Sequence, residues 1–161
     1  MAIGRPLEAK GHFHDAPYAF DRGVSTLELT RLIERSGKHW VSELEVPRPI
    51  QWQGDFRRVD EVAADLRHPH PERFRAVRVS GRHGEEKVCF AFTKVVRLKR
   101  YGHKRLVIVH EQPALSDVPR FLVTDAWPWE SGRVIQTGSY ALASEVCDEQ
   151  GCCRSVYFTA G

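Results

Sequence analysis

Residues 18–45, YAFDRGVSTLELTRLIERSGKHWVSELE, decide the fold. Tyr18, Ala19 and Phe20 are a short apolar run, and Asp21 follows at once. Ser25 with Glu28 three residues on has the spacing of a capping box, which predicts a helix from about Thr26. Leu29, Leu32 and Ile33 fall on one face of that helix, with Arg31, Glu34 and Arg35 on the other. Ser36-Gly37 stops it, because glycine suits the left-handed backbone at a helix end. Trp40, Val41 and Leu44 then read as a second strand. Strand, helix, strand is the unit of an α/β layer, in which functional groups gather at the carboxyl ends of strands. Asp21 stands at such an end. The same residue also reads as an ordinary aspartate opening a turn.

Downstream, Ile50, Trp52 and Phe56 flank Gln53-Gly54 and predict a small hairpin. Val59 to Leu66 reads as a short helix with Val62, Ala63 and Leu66 on its inner face. From Arg73 the pattern turns to β. Phe74 to Val79, Val88 to Leu98, Leu106 to His110 and Phe121 to Thr124 predict four strands with short links, an antiparallel meander. Tyr101-Gly102-His103 is read as the tight turn between the second and third. Arg133 to Gln150 reads as a final helix, with Gly138 weakening its start.

At 161 residues the chain fits one domain with a real core. A hydrophobic share of 42% and a charged share of 28% are those of a water-soluble protein, and a net charge of +3 is too small to name a partner. No apolar run has the length of a membrane span, and MAIGRPLEAKGHFHD lacks a signal-peptide core. The expectation is a cytoplasmic protein with no membrane partner. Cys89, Cys147, Cys152 and Cys153 are not a disulfide framework, and the adjacent pair lacks the spacing of a zinc site. A cluster of the last three with a histidine is the one metal option they leave. The eight histidines sit mostly in surface-like stretches such as HPHPE.

The densest charge is in KVVRLKRYGHKRLVIVH, residues 94–110. Lys94, Arg97, Lys99, Arg100, Lys104 and Arg105 lie within a dozen residues, uninterrupted by acid. A β-ribbon with cations at its tip can follow a phosphate backbone. The plainer reading is protection of an exposed strand edge, for which one or two charges suffice.

A second carboxylate, Glu145, lies in SYALASEVCDEQG on the last helix. An Asp ending a strand, a β-rich stretch, then a Glu on a helix resembles the DDE transposases of bacterial insertion sequences, in the subgroup with a β-rich insertion. FDRGVSTLELTRLIERSGKHWVSELE, VCFAFTKVVRLKRYGHKRLVIV, FLVTD and RVIQTGSYALASE carry the resemblance, from about residue 18 to 146. It implies an α/β (α+β) fold: a partial RNase H-like core with an inserted antiparallel β-meander. The divisions it suggests are an irregular segment 1–17, a partial catalytic domain 18–146 with its insertion at about 47–120, and a degenerate tail 147–161. Asp21 would be the second catalytic Asp, Glu145 the catalytic Glu, with Glu149 as fallback, and Tyr140 the tyrosine before the Glu. Both carboxylates would hold Mg²⁺ or Mn²⁺ for cleavage and transfer of DNA strands, with transposon ends as partner.

The chain departs from the family pattern at named places. Asp15 is the only Asp before Asp21, and nothing around it reads as the strand that bears the family's first Asp. Ala141 and Leu142 stand where arginine and tryptophan are expected, and Cys152 where a lysine is expected. These departures imply a fragment that is inactive alone. The alternatives are a non-catalytic DNA-binding module built on the basic hairpin, and a remnant whose open sheet edge favours self-association.

Overall fold

A computed structural model describes residues 17–20, 27–46, 48–80, 84–143 and 156–158. β1 (Tyr18–Phe20), α1 (Leu27–Arg35) and β2 (Trp40–Glu43) form the expected strand–helix–strand unit. The two strands are parallel, with Tyr18 opposite Trp40 and Phe20 opposite Ser42. Gly37 ends α1 at φ +75°, a left-handed conformation that costs glycine nothing. The Lys38 N–H then donates back to the Ile33 carbonyl at 3.1 Å. One expectation for α1 fails: Leu32 is 40% exposed, and Thr30 is buried beside Leu29 and Ile33. Thr30 tolerates burial because its hydroxyl donates to the Leu27 carbonyl at 2.9 Å.

β3 (Pro49–Trp52) and β4 (Asp55–Arg58) make the expected hairpin. Gln53 and Gly54 both have positive φ, 52° and 90°, the backbone of a two-residue turn that matches strand twist. α2 (Val59–Arg67) buries Val59, Val62, Ala63 and Leu66, one residue more than the expected stripe. β5 (Arg75–Ser80), β6 (Glu86–Leu98), β7 (Gly102–His110) and β8 (Arg120–Thr124) are the antiparallel meander. Its central turn is centred on Arg100, at φ 76°, and Leu98 stands opposite Gly102. The sequence placed that turn two residues later. α3 (Ser131–Ala143) begins two residues before the expected Arg133, and the rest of the expected helix lies outside the described residues.

All nine described strands share one open sheet in the order β4-β3-β6-β7-β8-β2-β1-β9, with β5 also on β6. The fold is mixed α+β. The meander is continuous with the first unit: β7 pairs with β8, and β8 pairs antiparallel with β2 and sets Thr124 opposite Val41. The β1 edge, expected to be open, is paired antiparallel by β9 (Val156–Phe158), from the segment read as a tail.

Strand alternation divides the core into two layers. Trp40, Val123, Leu106, Ile108, Phe92 and Val96 face α1 and α2. Val41, Leu122, Val107, Val109, Ala91 and Cys89 face Val134 and Ile135 of α3. His110, at the end of β7, is 1% exposed. No helix among the described residues is long and apolar enough to cross a membrane.

Gly138 does more than weaken α3. A Cβ there would come within 2.9 Å of Leu122 Cδ2, and Leu122 is fully buried in β8. Glycine lets the helix lie this close to the sheet. Gly138→Val is expected to destabilise the protein by about 2–3 kcal/mol through overpacking, outweighing any gain in helix propensity. Leu32→Lys should stay within about 0.5 kcal/mol. Urea denaturation of both variants reads this directly, and a Leu32→Lys cost as large as that of Gly138→Val would overturn the assigned face of α1.

Candidate functional site

α3 lies along the sheet in a direction fixed by two arginines. Arg105 donates to Ser131 Oγ at the helix start, at 3.0 Å, and Arg120 Nη1 donates to Ser139 Oγ two turns later, at 3.4 Å. On β8 and its neighbour, Arg105 stands opposite Thr124 and Arg120 opposite Val109. The helix therefore runs from the Thr124 end of β8 to the Arg120 end. β2 is antiparallel to β8, with Glu43 opposite Leu122, and β1 is parallel to β2. The carboxyl ends of β1, β2 and α3 thus come to one edge of the sheet.

Asp21 follows Phe20 in the chain, and Glu145 comes two residues after Ala143. Both lie outside the described residues, as do Glu149, Cys147, Cys152 and Cys153. Among the described residues no three His, Cys, Asp or Glu side chains gather as a metal site would require. The shared edge does carry one cation that the sequence did not single out. Arg120 Nε and Nη2 are buried and have no hydrogen-bond partner among the described residues. Only its place in the tertiary structure distinguishes this arginine; it opens β8 as one charged residue among many.

The six hairpin cations do not form one surface. Alternation sends Lys94 and Lys104 to the α1–α2 side of the sheet and Arg97 and Arg105 to the other, with Lys99 and Arg100 in the turn. Three of them are engaged within the fold. Lys94 Nζ lies 4.5 Å from the centre of the Trp52 ring. Lys104, with 12% of its side chain exposed, lies 3.6 Å from Glu34, whose carboxylate also accepts the Trp40 indole N–H at 2.8 Å. Arg105 donates to the Trp129 carbonyl, to Ser131 Oγ and, at 2.8 Å, to Thr93 Oγ1, and burial lowers its pKa. It fastens the start of α3 to the ribbon. Arg97, Lys99 and Arg100 are exposed and form no ion pair among the described residues.

The opposite end of β2 holds a second polar node. Asp125 Oδ1 accepts the Trp40 backbone N–H at 2.9 Å, and Oδ2 is 3.2 Å from His39 Nδ1. Thr124 Oγ1 donates to the Trp40 carbonyl at 2.7 Å and accepts the Ala126 N–H at 3.0 Å. The His39 ring meets Trp129 edge-on at 5.3 Å, and the Arg133 guanidinium lies 3.9 Å from the centre of that indole. Burial raises the Asp125 pKa, outweighing the opposing hydrogen bonds from Trp40 and His39. The node is at the far end of the sheet from Phe20 and Ala143. Its contacts are those of a joint between strands.

Compared with models of known protein families and with curated proteins, the chain matches none of them.

Asp125 sets a pH dependence with a definite sign. Its folded pKa lies above the unfolded one, so the protonated form favours folding. This contribution is full below the ordinary carboxylate pKa of about 4 and is lost as pH rises through the higher folded value. Asp125→Asn keeps an acceptor for the Trp40 N–H and removes the titration. Unfolding free energies measured in urea across about pH 4–7 should fall less steeply with rising pH in the variant. Identical slopes would place the titration elsewhere.

Proposed function

We propose that this chain carries part of the catalytic domain of a DDE-type transposase, an RNase H-like core, in which Asp21 and Glu145 are the metal-binding carboxylates. The observation that carries this reading is the common edge at which β1, β2 and α3 end. In the sequence Asp21 directly follows Phe20, the last residue of β1, and Glu145 comes two residues after Ala143, the last residue of α3. A parallel β1–α1–β2 unit extended by an antiparallel sheet suits the order Asp, β-rich stretch, Glu on a helix. The position beside β1, where the resemblance expects an earlier Asp-bearing strand, is taken by β9 running antiparallel.

The donor set suits Mg²⁺ or Mn²⁺. Carboxylates are hard oxygen ligands, and magnesium is commonly held by one or two of them, with water and substrate phosphate completing its octahedron. When bound, such an ion supplies charge stabilisation for phosphodiester cleavage. In this reading Asp21 and Glu145 hold the ion. Two carboxylates provide too few ligands for a pair of ions, so this chain alone does not cleave DNA. Mn²⁺ binding followed by electron paramagnetic resonance should be weak and lost in both Asp21→Ala and Glu145→Ala, and nicking of supercoiled DNA should be absent from the parent. Metal binding indifferent to both substitutions refutes the site, and nicking that both substitutions abolish refutes the inactivity.

The exposed turn of the hairpin favours a second reading, a DNA-binding module without catalysis. Arg97, Lys99 and Arg100 are the hairpin cations with no ion pair among the described residues, so they are the ones available to phosphates. Under this reading, replacing all three by Ala lowers the slope of log K against log salt by about 2–3 and weakens binding evenly across sequences. Lys104→Ala and Arg105→Ala should act mainly on stability. An unchanged salt slope in the triple variant sinks the module.

A further inference from the structure

Part of the sheet face on the α3 side lies open, and register shows which residues it displays. In an antiparallel ladder directly opposed side chains share a face. Phe56 of β4 stands opposite Gln51 of β3, Gln51 opposite Arg97 of β6, and Arg97 opposite His103 of β7. These four residues form one row across four strands, about 14 Å long at the usual strand spacing. Val95, two residues from Arg97, starts the neighbouring row opposite Arg105. Alternation from Ala91, which faces α3, puts both rows on the α3 side. The helix leaves much of them open: Phe56 is 49% and Val95 51% exposed, and Arg97 and His103 are exposed as well.

The open face has one sign of charge. Asp55 and Glu86 are the only acids on β3, β4, β6 and β7, and both point to the other side, Asp55 opposite Trp52 and Glu86 opposite Ser80. Arg58 shares the face with Phe56 but is clamped by Asp60 at 3.1 and 2.8 Å. Arg97 is uncommitted, and Lys99 and Arg100 continue its charge into the ribbon tip. A cationic face without carboxylate suits an anionic partner. Its exposed ring narrows the choice. Phe56 and Arg97 stand two strands apart, roughly 10 Å, with the half-buried Gln51 between them. A single nucleic-acid strand brings a counterpart to each: phosphates for the cations, and unpaired bases that stack on aromatic side chains. In a duplex the bases stack on one another, which leaves Phe56 without a counterpart.

We propose that the open face of β4, β3, β6 and β7 binds single-stranded DNA, with a base stacked on Phe56 and the backbone following Arg97 to the ribbon tip. The proposal rests on the DNA-binding reading of the hairpin and adds the strandedness of the partner and a contact outside the hairpin. Fluorescence anisotropy tests it on the intact chain, with a labelled oligothymidylate of about 15 nucleotides and a duplex of the same length. The single strand should bind at least about tenfold more tightly. Phe56→Ala should weaken single-strand binding about fivefold or more and leave its salt slope unchanged, because a ring adds stacking and releases no counterion. Phe56→Trp should keep the affinity, and Arg97→Ala should lower the slope by about 0.7. Should Phe56→Ala unfold, the preference of the parent chain for the single strand decides. Equal affinity for the duplex, or an inert Phe56→Ala, overturns this proposal and leaves the hairpin tip as the DNA contact. No binding of either form overturns that reading as well. Tighter binding of oligouridylate, or Phe56-dependent binding of phosphatidylserine vesicles without any of the oligonucleotide, gives the face to another partner and overturns the proposal.

Discussion

The fold hinges on the backbone N–H and C=O of Trp40, which belong to the two peptide units flanking its Cα. Asp125 Oδ1 takes the N–H and Thr124 Oγ1 donates to the carbonyl, so the first residue of β2 is held by the last residue of β8 and the one after it. This joint fixes where the parallel pair β1–β2 meets the antiparallel sheet. Beside it, the two halves share the three ladder positions from Val41 to Glu43 and a bond from the Leu44 N–H to the Phe121 carbonyl at 2.8 Å. The same tryptophan anchors the layer above. Its ring is 1% exposed, and its indole N–H reaches Glu34 of α1, which lies beside Lys104 of β7. Backbone and side chain of one residue thus tie α1, β2, β7 and β8 together. Burying a residue of that size contributes about 2–3 kcal/mol, and the satisfied polar groups prevent a desolvation loss of similar size.

The joint has an electrostatic cost. Asp125 gives up hydration to reach Trp40, and its raised pKa records this. A buried carboxylate is tolerated there because both oxygens have partners, one in the backbone and one in His39. From the same point the chain turns into α3. Ala126 N–H bonds to Thr124 Oγ1, and Trp129 is held between His39 and Arg133 while its carbonyl accepts from Arg105. The start of the helix is therefore positioned by the end of the sheet that carries the joint. Its other end is then delivered, along Leu122 and Gly138, to the edge where β1 stops.

Local chemistry made much of the fold legible in the sequence. Gln53-Gly54 admits a tight hairpin, Gly37 ends a helix, and apolar alternation from Phe74 to Thr124 yields a meander. What stayed hidden depends on register and on what covers each face. Leu32 has the right spacing to face inward, yet α1 rotates so that Thr30 does so, since Thr30 satisfies its own hydroxyl within the helix. Of the candidate site, only the approach is visible: Asp21 and Glu145 lie outside the described residues, while β1 and α3, which lead to them, end together. Arg120 and His110 could not be found by inspection. Neither belongs to a motif, and their distinction is that both bury nitrogens with no partner among the described residues.

The basic hairpin shows how register decides what a charge run can do. A turn centred on Gly102 would set Arg100 opposite Lys104, and like charges directly opposite on a strand pair repel. Centring on Arg100 instead pairs Lys104 with Val96 and Arg105 with Val95, with Arg97 opposite His103. Lys104 then faces Glu34, and Arg105 faces the start of α3. Half of the cations thus meet internal partners, and repulsion across the ladder is relieved. The remaining positive charge collects at Arg97, Lys99 and Arg100, near the solvent end of the ribbon. A run of six like charges in the sequence is therefore two structures in the protein: internal fasteners that hold α1 and α3 to the sheet, and a small exposed tip. Any polyanion that meets this ribbon meets the tip, and the fasteners act on it only by keeping the ribbon in place.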